Sequence, residues 1–203
     1  MSDIATVANA ASKLHAEEQN KTTLGFWMYL MTDCVLFASL FATYAVLRNN
    51  TAGGPSGEEL FNLPYILIET LILLTSSFTA GLAVLALRHK QQTNLIGWLL
   101  VTFALGLAFL LMEVYEFAQL VHEGNGWQRS GFLSAYFTLV GTHGLHILVG
   151  LLWLVVVVPN ILRNGLNHIV AKRLMLFSLF WHFLDIIWIF IFTLVYLMGN
   201  VRL

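Results

Sequence analysis

Asp33, Glu69, Glu113, Glu116, His143, His146, His182 and Asp185 are ionisable side chains set inside long apolar stretches of this chain. A charge at bilayer depth costs at least about 2.5–3.5 kcal/mol, so such residues normally face a bundle interior or mark a functional path. Six of them form pairs three residues apart: Glu113/Glu116, His143/His146 and His182/Asp185. That spacing puts both members of a pair on one helix face. Four chemistries are open to such a set: hydrogen bonds between helices, metal ligation, haem ligation and proton relay.

The residues discriminate among these only in part. Polar pairs on one face of a membrane helix often do no more than join helices, at about 0.6 kcal/mol per hydrogen bond. Glu-x-x-Glu with His-x-x-His, plus Glu69, His182 and Asp185, could supply a carboxylate-bridged di-iron centre, although the usual Glu-x-x-His on one helix is missing. His143 or His146 with His182 could face one another as haem ligands. No phosphate-binding glycine loop, nucleophile with its base or HExxH zinc signature accompanies them. The residues do not describe a self-contained enzyme, and metal, cofactor and catalytic residues are expected to be absent from this chain.

Composition explains where these residues sit. Of the 203 residues 58% are hydrophobic and only 10% charged, against roughly 25% charged in soluble domains. A net charge of −1 gives no electrostatic reason to expect nucleic acid. The single cysteine, Cys34, permits no intrachain disulfide and reads as a small buried hydrophobe.

Residues 1–23 are polar and Ala-rich without the apolar core of a signal peptide, and read as a flexible or interfacial tail. Residues 24–203 read as an all-α domain of five transmembrane helices, at about 24–48, 64–88, 95–122, 132–161 and 174–199. Each stretch reaches the ~20 residues that cross ~30 Å of hydrocarbon as a helix, and irregular backbone cannot face lipid. The links carry Gly, Pro and polar residues, as in NNTAGGPSGEELFNLP and HEGNGWQRSG.

Basic residues orient the bundle. Lys13, Lys21, Arg88, Lys90, Arg163, Lys172 and Arg173 fall on the side of the tail, and Arg48, Arg129 and Arg202 on the other. The excess places the N-terminus in the cytoplasm and the C-terminus outside. Counting depth at 1.5 Å per residue puts Asp33, His143, His146, His182 and Asp185 in a central layer and the three glutamates in an outer one. Asp33 is expected to find a partner in His143, His146 or His182. The glutamates are expected beside the hydroxyls of Tyr115, Thr70 and Ser76. With no Lys or Arg inside the spans, at least one of them is expected to carry a proton at neutral pH. Gly81, Gly106, Gly141, Gly144 and Gly150 suit close helix approach, and Phe26, Trp27, Tyr29 and Trp181 suit an interfacial aromatic belt.

Five blocks occur in order, one per span: GFWMYLMTDCVLFASLFATYAV, LPYILIETLILLTSS, LLMEVYEFAQL, FTLVGTHGLHILVG and FWHFLDIIWIFIFTLVYLMG. Together they resemble subunit III of the haem-copper terminal oxidases, over about residues 25–199, in the form of the bacterial cytochrome o ubiquinol oxidase branch. The cytochrome c branch usually has seven spans and a buried Glu where this chain has Asp33. The resemblance implies a non-catalytic core subunit of an oxidoreductase complex in the bacterial inner membrane. Haems and copper are expected in partner subunit I, with subunits II and IV as further partners and phospholipid as a ligand. Such a subunit stabilises subunit I and assists its proton supply. The competing reading of the residues is an independent proton-coupled transporter or channel, with Asp33, His182 and Asp185 as its relay.

Overall fold

The computed structural model describes residues 2–54, 60 and 62–200, with side chains from residue 21 onward save those of Asn164 and Asn200. Its helices are α1 (Ser2–Leu47), α2 (Leu63–Arg88), α3 (Gln92–His122), α4 (Gly131–Asn164) and α5 (His168–Ile191). A π-helical turn at Phe192–Leu197 and a 3-10 turn at Met198–Asn200 extend α5. Among the described residues five helical stretches are long and apolar enough to cross a membrane: Lys21–Leu47, Leu63–Arg88, Gln92–His122, Gly131–Arg163 and His168–Leu197. These are the five expected spans, and no described residue forms a strand. The polar lead-in is helical, continuing α1 back to Ser2.

The chain divides into two units, Met1–Leu36 and Phe37–Leu203. In the first, Leu30 and Asp33 are the buried side chains among residues 21–36, while Trp27, Met28, Met31 and Val35 are exposed. Cys34 is exposed as well. The expectation of a buried cysteine is not met, although residue 34 lies one turn beyond the buried Leu30.

In the second unit α2, α3, α4 and α5 close a ring: α2 packs on α3, α3 on α4, α4 on α5 and α5 back on α2. Local chemistry sets the turns. Pro64 lies in the first turn of α2, where its missing N–H is not needed. Ser130 caps α4 by accepting from the Leu133 N–H at 3.2 Å, and Asn167 caps α5 through the Val170 N–H at 2.8 Å. Gly165 ends α4 at φ 67°, a conformation that glycine adopts without strain. The last turns of α1 lie against the ring: Phe41 meets Phe190, and the Tyr44 hydroxyl donates to the Val195 carbonyl of the π turn at 3.3 Å. Apolar side chains such as Leu67, Leu71, Phe78, Leu111, Leu145 and Val156 point outward, as lipid or partner helices require.

Polar and small residues hold the ring together. The Trp181 indole N–H donates to Ser76 Oγ at 3.1 Å, and Ser76 donates to the Thr102 carbonyl at 3.2 Å. Thr79 and Thr102 share a further bond of 2.8 Å. The Trp181 ring rests on two bare backbones: a Cβ on Gly106 would come within 2.8 Å of it and one on Gly150 within 2.6 Å. Trp181 is therefore a core wedge, only 1% exposed, and not the interfacial belt residue expected. Its two glycine notches belong to α3 and α4, far away in sequence. Gly81, by contrast, approaches nothing closely.

Candidate functional site

The three glutamates gather on α2 and α3. Glu69 is fully buried on α2, and no described residue donates a hydrogen bond to either of its oxygens. Its charge interacts with that of Glu116, and Glu113 interacts with both. Glu113 is buried on α3, its carboxylate lying on the bare backbone of Gly144 in α4: a Cβ there would come within 2.9 Å of its carboxyl carbon. Glu116 is half-buried and accepts from the Tyr196 hydroxyl at 3.3 Å, and Tyr136 shares a 3.0 Å hydrogen bond with Tyr196.

The hydroxyl neighbours therefore differ from those expected. Tyr115 is 63% exposed and lines a pocket beside Glu116, away from the buried Glu69 and Glu113. Thr70 accepts instead from the Trp188 indole N–H at 3.0 Å, and Ser76 belongs to the Trp181 network. Tyr136 and Tyr196 take their place. The spacing carries no signal for them, since they reach Glu116 from two other elements.

Nor does Glu113 keep to an outer layer apart from the central histidines. Gly106 faces Leu151, Glu113 faces Gly144 and Phe117 faces Gly141, one antiparallel register of α3 on α4. This brings Glu113 level with the residue after His143. Depth counted from the ends of apolar stretches misses it, because those ends do not lie at one height.

His143 is fully enclosed. It stacks on Trp188 at 5.2 Å between ring centroids, with Phe109 edge-on at 6.0 Å and Phe37 at 6.5 Å. No described residue hydrogen-bonds either ring nitrogen. His146 turns its Nδ1–H to the Thr142 carbonyl one turn back, at 2.7 Å, with Phe37 at 5.3 Å. His182 shares a 2.6 Å hydrogen bond through Nδ1 with Ser77 Oγ, and Ser77 also hydrogen-bonds Asp185. These three border an open groove of about 350 Å³ with Leu74, Phe78, Gly81 and Leu82. In the first unit Asp33 accepts a hydrogen bond from the Tyr29 hydroxyl, one helical turn back.

Two of the chemistries do not fit this arrangement. Among the described residues no three His, Cys, Asp or Glu side chains are grouped to hold a metal ion, which removes the geometric basis of a di-iron site. A haem held by His143 would have to share its surroundings with Trp188, stacked on the ring, and with Phe109 and Phe37, edge-on to it. What the geometry offers is a polar interior: an acid–tyrosine cluster joined to an enclosed imidazole, and a Ser–His–Asp set at a groove.

The sequence profile of the cytochrome c oxidase subunit III family matches residues 1–200. The chain belongs to that family. Over 91% of its length it is 58% identical to cytochrome bo(3) ubiquinol oxidase subunit 3 of Pseudomonas aeruginosa, covering 89% of that protein. Over 88% it is 54% identical to the protein of the same name from Pseudomonas putida, covering 86% of it. A cytochrome c oxidase subunit 3 from Bacillus sp. PS3 is 48% identical over 91% of the chain, which covers 89% of that relative. A subunit III of this short form therefore also occurs under the cytochrome c oxidase name, and length alone does not separate the two electron donors.

Proposed function

We propose that this chain is the third subunit of a membrane-bound ubiquinol oxidase, an oxidoreductase complex that oxidises ubiquinol and reduces oxygen to water in the aerobic respiratory chain. The observation that carries this is the 58% identity, along nearly the whole chain, to a protein named as that subunit. The two Pseudomonas relatives, more similar than the Bacillus one, favour quinol over cytochrome c as donor.

Within the complex the chain serves structure and proton supply, and the redox chemistry lies elsewhere. Haems and copper belong to subunit I, against which this chain packs, with subunits II and IV as further neighbours and phospholipid along its apolar faces. The exposed large apolar side chains that every helix carries give that packing its surface. The seven-to-three distribution of Lys and Arg supports a cytoplasmic N-terminus and an outward C-terminus in the bacterial inner membrane. The buried acids and histidines hold helices together and exchange protons.

A tag on this chain tests the reading. A pull-down from mildly solubilised membranes should carry the haem spectrum of subunit I. A strain lacking the chain should retain haem binding by subunit I but assemble poorly or lose activity during turnover. Recovery of fully active oxidase without the chain, through prolonged turnover, would overturn the accessory role and return the independent transporter.

A further inference from the structure

The cluster of Glu69, Glu113 and His143 leaves five polar atoms without a hydrogen-bond partner among the described residues: both oxygens of Glu69, Oε2 of Glu113 and both ring nitrogens of His143. All three side chains are at most 2% exposed, and they come from three helices, α2, α3 and α4. More than 90% of buried polar groups in proteins have a partner, and an orphaned one costs about 1–3 kcal/mol. These atoms lie on neighbouring helices: Glu113 interacts with Glu69, and its carboxylate lies on Gly144, the residue after His143. One water makes about three hydrogen bonds and serves several such atoms at once.

We infer that internal water binds between Glu69, Glu113 and His143, and that this water exchanges with the aqueous phase through Glu116. The route is laid out in the fold. Glu116 lies next to the cluster on α3 and also lines a pocket of about 130 Å³ with Leu60, Asn62, Tyr65, Tyr115, Gln119 and Glu123. That pocket sits where α2 begins and α3 ends, at the end of the bundle where α1 finishes and α4 starts. The titratable groups facing the cluster are Tyr65 from α2, Glu116 from α3, Tyr136 and His146 from α4 and Tyr196 from the π turn. The last turns of α1 contribute Phe37, and α5 contributes Trp188. No Lys or Arg is among them, so water and shared protons must neutralise the acids. The cluster is thus a hydrated proton store that opens on the outward side. The whole arrangement lies within this chain, so it does not depend on which donor the oxidase uses.

Two measurements on the intact complex test this. Cryo-electron microscopy at water-resolving quality should show density within about 3 Å of at least two of Glu69, Glu113 and His143. Direct carboxyl–imidazole or carboxyl–carboxyl contacts with no room between them would overturn the inference. In the second, infrared spectra of the reconstituted complex are followed as H2O is replaced by D2O, with the carboxyl band assigned by its loss in Glu69→Gln. That band should shift as fast as the medium changes. Gln119→Trp, or Asn62→Trp should the first fail to assemble, plugs the pocket and should slow the shift several-fold. A band that stays unexchanged for hours overturns the water; equal rates in plugged and native complexes overturn the route.

Discussion

Gly144 positions Glu113 by what it lacks, and the closeness of the two makes the pair measurable. A methyl group there would press on the carboxylate, and overpacking of this kind costs about 1–3 kcal/mol. Gly144→Ala should therefore lower the thermal stability of the solubilised complex, and Gly144→Leu should strip the other oxidase subunits from a purification while membrane insertion continues. In a Glu113→Ala background the cost of Gly144→Ala should largely vanish, a coupling of about 0.5–3 kcal/mol; additive losses in the double variant would separate the two residues. Asp33 presents a milder case. Its hydrogen bond from Tyr29 survives in Asp33→Asn, since an amide oxygen accepts as a carboxylate does. That variant should assemble to near-normal yield, whereas Asp33→Leu should not. Loss of the complex in Asp33→Asn would show that the charge itself is structural.

At the scale of helices, the ring depends on Trp181 and on the turn that ends α5. Trp181→Ala should cost about 3–5 kcal/mol, while Trp181→Phe keeps most of the ring and loses the Ser76 bond, a loss near 0.6 kcal/mol; thermal unfolding of the complex distinguishes them. Tyr44→Phe removes the hydroxyl that donates to the Val195 carbonyl, so amide exchange should rise across residues 192–200 and stay unchanged in α3. The helices themselves were legible in the sequence, because lipid admits only one backbone solution for such apolar runs. Their faces were less so. Trp181 reads as interfacial until Gly106 and Gly150, 75 and 31 residues away, are seen to notch around it. Tyr136 and Tyr196 reach Glu116 from elements that no local pattern links. Glu69, Glu113 and His143 were identifiable as buried, since cost at depth is a local property. Their meeting in one layer depends on the register of α3 on α4, which is not.

For the molecule as a whole, the side on which each loop lies decides what the acid cluster can exchange with. In a Cys34→Ser background, Lys90→Cys in the α2–α3 turn should resist a membrane-impermeant maleimide in intact cells and react in inverted vesicles, and Arg129→Cys should do the reverse. The opposite pattern would turn the bundle over and with it the direction in which Glu116 opens. A different consequence follows from the wedge. Trp181 lies on α5, which leaves the ribosome after α3 and α4, the helices whose notches it fills. Synthesis proceeds at about 5–20 residues per second, so for some seconds the nascent protein sits in the bilayer with two facing notches and an unanswered Ser76. Helix association in lipid rests on close packing and hydrogen bonds, so the earlier helices cannot settle until α5 arrives. Closure of the ring thus waits on residue 181, and a product cut short before it leaves Gly106, Gly150 and the Ser76 hydroxyl without the side chain that joins them.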